Sequence, residues 1–248
     1  LLILAAIIAC CSWVHPNMNA EVVDQSIERI GRSLIYNDYW KMILGGLKVT
    51  VTICFFGIIM AFVIAILMSW MNRNRYLKYV SEPLTYFIKT IHDVPSIVLI
   101  FFFYYVVFAA VQVGGIFVCI VALGVYTSGS FIKVIDIGLS QVDPNQHYAA
   151  QMLGLSGWKK YRYVILPQAV KPMLPLIGAE CKVLLRATTF AGYISELDLV
   201  KVTEIIRNQT YDVLVPLLLV SVIFLILSHF IVEGLSAIYN KAFKYDQN

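Results

Sequence analysis

Four apolar blocks dominate the chain: Val49–Trp70, Val94–Ile132, Val164–Leu185 and Val213–Val232. A hydrocarbon layer about 30 Å thick takes roughly 20 helical residues to cross, and each block supplies at least that many. The second block is about twice that depth and must fold back on itself. Gly114-Gly115 is its natural turn, which predicts helices near 85–110 and 114–137. Five core spans follow. Leu1–Val14 is a shorter apolar stretch and predicts one further N-terminal membrane helix. Ile7-Ile8-Ala9-Cys10 weakly matches a lipoprotein cleavage box, and a retained helix is the preferred reading. The chain opens on Leu1 rather than methionine, so its natural start is expected to precede Leu1. The expected fold is an all-α integral membrane protein. Residues 1–42 form the N-terminal helix and an external linker, 43–240 the membrane domain, and 241–248 a cytoplasmic tail.

Composition agrees and removes other classes. The sequence is 60% hydrophobic and 14% charged, a balance that no water-soluble domain of this length requires. The net charge of +4 is spread over loops rather than along one face, which argues against nucleic-acid binding. Cys10, Cys11, Cys54, Cys119 and Cys181 all sit in apolar surroundings without metal-ligand spacing, so they read as packed free thiols. His15, His92, His147 and His229 are too scattered for a metal motif, and no phosphate-binding Gly-x-x-x-x-Gly-Lys loop occurs. No catalytic residue and no metal site is expected.

Basic residues set the orientation. Arg73, Arg75 and Lys78 crowd the connection after the first core span. Lys159, Lys160, Arg162 and Lys171 outweigh Asp143 in the long connection after the third, and Lys241 and Lys244 follow the last. The positive-inside bias places these three segments in the cytoplasm. More than thirty residues, Gly138 to Lys171, separate two apolar blocks that a short turn would join, so this loop has a structure of its own. Asp143-Pro144-Asn145 is a helix start, with an Asx cap and a proline in the first turn. Ala149, Ala150 and Leu153 fall at helical spacing as a small apolar face, and Gly154 suits a left-handed C-terminal cap. Two readings remain open on spacing alone: a face for a partner protein, or a helix lying on the bilayer with Trp158 as its anchor.

The run Tyr148-Ala149-Ala150-Gln151-Met152-Leu153-Gly154-Leu155, with Ile165-Leu166-Pro167 and Leu174-Pro175 beyond it, resembles the "EAA" loop of ATP-binding-cassette importer permeases. Gly46-Leu47-Lys48-Val49-Thr50 and Thr188-Thr189-Phe190-Ala191 resemble further signatures of the polar-amino-acid (histidine/glutamine-type) permeases. The resemblance covers about residues 43–240 and decides between the two readings. It implies a type I importer subunit in the bacterial cytoplasmic membrane, with a coupling helix between core spans 3 and 4. It also implies a second permease subunit, identical or related, two cytoplasmic ATPase subunits and an external solute-binding protein. ATP and magnesium would sit on the ATPase, and this chain would bind no cofactor. The ATPase would dock on Tyr148, Ala149, Ala150, Leu153, Gly154 and Leu155.

Departures from the family pattern affect the solute more than the machinery. Tyr148 replaces the glutamate of the motif, His92-Asp93-Val94-Pro95 keeps only the proline of an Arg-Gly-Thr-Pro run, and Arg186-Ala187-Thr188-Thr189 replaces Lys-Asp-Thr-Ser. A Glu/Arg pair three residues apart becomes Lys133 and Asp136, which reads as a structural ion pair with its signs exchanged. Ionisable residues inside spans are costly and draw functional attention. Glu180 and Arg186 are candidates for the ammonium and carboxylate of a zwitterion, with Thr188 and Thr189 near an outer gate and Lys182 turned elsewhere. Pro167, Pro172 and Pro175 are expected to irregularise the start of this span. His92 and Asp93 read as a capping or inter-helix contact. Residues 195–209, with Leu197, Val200, Glu204 and Arg207 at helical spacing, read as a short external helix. The leading function is an importer permease for a polar amino acid or similar solute. The alternatives are an ion-coupled carrier, although no internal repeat is visible, and a membrane-anchoring subunit without a pathway.

Overall fold

The computed structural model describes residues 38–243 except 112 and 212, so the expected helix at Leu1–Val14 lies outside the described residues. The described chain is helical throughout. Helix α1 (Tyr39–Arg73) runs about 52 Å at 1.5 Å per residue. One stripe of it is buried: Gly46, Thr50, Ile53, Gly57, Ala61, Ala65 and Ser69. Small residues on a shared stripe let two helices approach closely in an apolar solvent, where packing rather than water exclusion drives association. Helix α4 (Gly115–Ser140) packs along much of that stripe. It begins at the expected glycine turn, and a Cβ on its Gly124 would lie 3.0 Å from Met60 Cγ.

Between them the chain does not form the single helix expected over 85–110. It forms α2 (Lys78–Ile91) and α3 (Ser96–Phe102, continued by a π-helical turn Phe103–Val107), bent by 114°. Pro95 has no amide hydrogen and pushes the preceding Val94 out of helical geometry. The break is closed by turn hydrogen bonds from Asp93 N to Thr90 O (3.0 Å) and Val94 N to Ile91 O (3.1 Å).

After α4 come α5 (Pro144–Met152), a single turn α6 (Gly157–Lys160), a π-helical turn (Tyr161–Ile165) and α7 (Leu166–Ala187). Pro172 and Pro175 lie inside a continuous α7, so the expected irregular start is displaced to the π turn before it. A 3₁₀ segment (Thr188–Ile194), α8 (Leu199–Thr210) and α9 (Leu214–Phe243) complete the chain.

Helix α4 is the axis of the packing, and three apolar clusters stack along it. At its start Cys119, Ala122 and Leu123 meet Ile53, Ile100, Ala187 and Ala191. Midway Phe131 and Ile132 meet Ala61, Ala65, Ile88 and Cys181. At its far end Val134 and Val142 meet Ile165, Ala169 and Met173. Helices α1, α4 and α9 are long and apolar enough to cross a membrane, and the bent α2–α3 pair makes a fourth if counted as one span. Helix α7 has 22 residues but carries Lys171, Glu180, Lys182 and Arg186.

Candidate functional site

Helix α5 forms as its sequence dictates. Asp143 accepts a hydrogen bond from Asn145 N at 2.8 Å, and Pro144 occupies the first turn. The helix ends where Gly154 takes φ +73°, with Gly154 N bonded to Gln151 O and Leu155 N to Ala150 O, both at 2.9 Å. A Cβ at Gly154 would meet nothing within 4 Å, so conformation rather than space favours glycine there. The two alanines do not share one outward face. Ala150 is buried against the chain's own core and Ala149 is exposed. The outward surface consists of Tyr148, Ala149, Leu153 (77% exposed) and Met152 (91% exposed), with Leu155 half-buried at its edge. Met152 belongs to this patch and was not among the expected docking residues; its position three residues after Ala149 was the available signal.

The expected Lys133–Asp136 pair is not formed. Each residue reaches across to the broken span instead: Lys89 Nζ to Asp136 Oδ2 at 2.7 Å, and Lys133 Nζ to Asp93 Oδ1 at 3.5 Å. Tertiary partners at the α2–α3 break thus displace the local i,i+3 contact. His92 joins them as an inter-helix contact, with Nδ1 3.1 Å from Tyr126 O and its ring 4.6 Å from that of Tyr126. A carbonyl only accepts, so Nδ1 carries the hydrogen. Helices α2 and α4 approach backbone to backbone at Gly129, where a Cβ would lie 2.7 Å from Ile88 O.

The charged side chains of α7 divide between two faces. Glu180 is half-buried on the side turned toward α4, beside buried Ala169, Met173, Leu184 and Ala187, and it interacts electrostatically with Tyr126. Lys182 lies about 200° around the helix from Glu180 at 100° per residue, as expected. Arg186 is exposed and about 40° from Lys182, so Glu180 and Arg186 do not face one another. Thr188 is fully buried and donates its hydroxyl to Leu185 O at 2.7 Å, which removes it from any solute in this conformation. Thr189, half-buried, donates to Arg186 O.

The expected short helix is α8, though Leu197 and Val200 are exposed and the buried face is Leu199, Val202, Thr203 and Ile206. It is pinned to α1 where Leu199 N donates to Thr50 Oγ1 at 3.2 Å and Gly46 leaves room for Asp198 O. Asp198 caps α8, its carboxylate accepting from Val200 N (3.2 Å) and Lys201 N (3.0 Å). Burial raises its pKa from the ordinary 3.8 to about 6, against these hydrogen bonds and the nearby Lys201.

Long apolar helices arranged around α4, with a short α5 that exposes Tyr148, Met152 and Leu153, define a polytopic membrane protein. The chain belongs to the family described as binding-protein-dependent transport system inner membrane components, whose pattern matches residues 48–245. It is therefore a permease subunit of an importer, not an enzyme, and in such systems the ATPase is a separate subunit. It is 31% identical over 193 residues to the probable amino-acid ABC transporter permease protein y4tG of Sinorhizobium fredii, covering 75% of this chain and 81% of that one. It is 28% identical over 171 residues to the probable glutamine ABC transporter permease protein GlnP of Bacillus subtilis, covering 67% and 77%. Its fold matches the crystal structure of an amino acid ABC transporter with histidines (TM-score 0.72, 25% identity, 84% of this chain and 97% of that chain). It also matches an inward-facing methionine ABC transporter MetNI (TM-score 0.65), where 16% identity supports the fold alone.

Proposed function

We propose that this chain forms the translocation pathway of an ATP-driven importer for a polar amino acid, in the bacterial cytoplasmic membrane. Helices α1, α2–α3, α4, α7 and α9 are the five core spans, and α5 is the coupling helix between the third and fourth. The solute class is taken from the amino-acid permeases and transporter that the chain is similar to. The partners are a second permease, two ATPase subunits that carry the ATP and magnesium, and an external solute-binding protein. The observation that carries the coupling role is the tip of α5. Tyr148, Met152 and Leu153 expose apolar surface on a capped helix that is short for a membrane contact, next to a positive-φ glycine with open space around it. An exposed apolar cluster on a capped helix is an interaction surface. ATP-driven closure of two ATPases would draw the coupling helices together and, through the π turn at Tyr161–Ile165, move α7.

The break at His92–Pro95 belongs to the same reading. Non-helical backbone at membrane depth is tolerated where it is covered by protein or lines a watery cavity, and discontinuous helices house transporter sites. Replacing Gly154 with tryptophan should strain the cap and hold the ATPase away. The assay is solute uptake and ATP hydrolysis by the reconstituted complex, and a Gly154→Trp complex that couples the two normally overturns the docking role.

A further inference from the structure

We propose that the groove between α7 and α9 is a water-filled path for anions, in which Lys182 receives the carboxylate of the passing solute. The proposal rests on the importer reading above and adds a binding group to it. The open groove has a volume of about 360 Å³ and runs between Leu174, Pro175, Gly178 and Ala179 of α7 and Val232, Leu235, Ser236 and Tyr239 of α9, with Lys171 and Lys182 at its two ends. A volume of this order suits a small organic solute. Among the described residues no carboxylate lines it.

Lys171, Pro175, Ala179, Lys182 and Arg186 follow one another at intervals of three or four and so lie on one face of α7. Small residues separate the cations and keep the groove open. Among the described residues neither Lys182 nor Arg186 has an ion-pair partner. Depth decides what meets them. Cys181, the neighbour of Lys182, packs in the middle cluster with Phe131 and Ile132, whereas Met173, near Lys171, packs in the cluster at the α5 end. Lys182 is about 16 Å further along α7 than Lys171. A phospholipid headgroup stays at the interface, so it reaches Lys171 and not Lys182. A lysine at mid-depth facing lipid tails costs at least about 2.5 kcal/mol. A cationic stripe that runs about 22 Å along α7, from the interface through mid-depth, therefore faces water, and the anion that travels through such water is the carboxylate of the transported molecule.

The test is thiol labelling of the assembled complex, with ATPase present, in lipid nanodiscs. Lys182→Cys and Ala179→Cys are each treated with an anionic and with a cationic water-soluble methanethiosulfonate, and wild type reports background from the five native cysteines, of which Cys54, Cys119 and Cys181 are buried. Both variants should label, with the anionic reagent faster at Ala179→Cys by about threefold or more because neighbouring cations concentrate it. Arg186→Gln should reduce that preference. A mixture of amino acids should slow labelling during ATP turnover, and the matching decarboxylated amines should not. Lack of reaction at both positions, a faster cationic reagent, or protection only when anionic phospholipid replaces neutral lipid would each overturn the proposal. If ATPase binding and ATP-driven uptake survive those results, the importer reading stands without it.

Discussion

Replacing Gly129 with alanine tests how the broken span is held. A Cβ there would lie 2.7 Å from Ile88 O, 2.9 Å from His92 Cβ and 3.4 Å from Lys89 Cα. Two of these three neighbours are backbone atoms and cannot rotate away, so α2 must move off α4. That movement strains the Lys89–Asp136 and Lys133–Asp93 contacts and the His92–Tyr126 contact together. Overpacking of this kind costs about 1–3 kcal/mol, and rigid neighbours place it near about 2–3. Alanine regains about 0.5–1 kcal/mol of helix propensity, leaving a net loss of about 1–2.5 kcal/mol. For a chain of this size that is a fall in Tm of about 2–10 °C. Gly45→Ala is the control, since a Cβ there meets nothing within 4 Å, and it should leave Tm unchanged or slightly raised. The assay is thermal unfolding of the detergent-solubilised complex, followed by tryptophan fluorescence. A Gly129→Ala protein as stable as Gly45→Ala would show that α2 is not held against α4 as described.

Double-mutant cycles separate the ion pairs: Lys89 with Asp136 should couple by about 0.5 kcal/mol, because both side chains are partly exposed and screened, while Lys133 with Asp136 should be additive. Strong Lys133–Asp136 coupling would restore the local pair. Asp198 gives a pH dependence of known sign. Its folded pKa is raised to about 6, so the native state keeps a proton that the unfolded chain has released between about pH 4 and 6. This group's contribution to stability is complete below its unfolded value, declines as pH rises to about 6, and is flat above. Asp198→Asn should flatten that segment of a Tm-against-pH curve, and an unchanged slope would assign it to other groups.

The three spans α1, α4 and α9 were legible because lipid demands long apolar helices, and the turn at Gly114-Gly115 needed only a glycine pair. The start and stop of α5 were equally local, set by Asp143, Pro144 and Gly154. What the sequence concealed was tertiary. Pro95 carried the local signal for a break that the helix expected over 85–110 did not use, and α2, before the 114° bend, packs closely on α4 at Gly129. Lys133 and Asp136 sit at an interval that permits a pair, and only the placement of Lys89 and Asp93 redirects both. Burial of Ala150 and Thr188 is likewise decided by neighbours that lie far along the chain.

Uptake into proteoliposomes measures ATP-driven import through this subunit. The chain is reconstituted with its second permease and ATPase, with labelled amino acids and the binding protein outside. Accumulation should occur when ATP and magnesium are enclosed and should fail with a non-hydrolysable analogue. Accumulation driven by a proton or sodium gradient without ATP would contradict the account and identify an ion-coupled carrier.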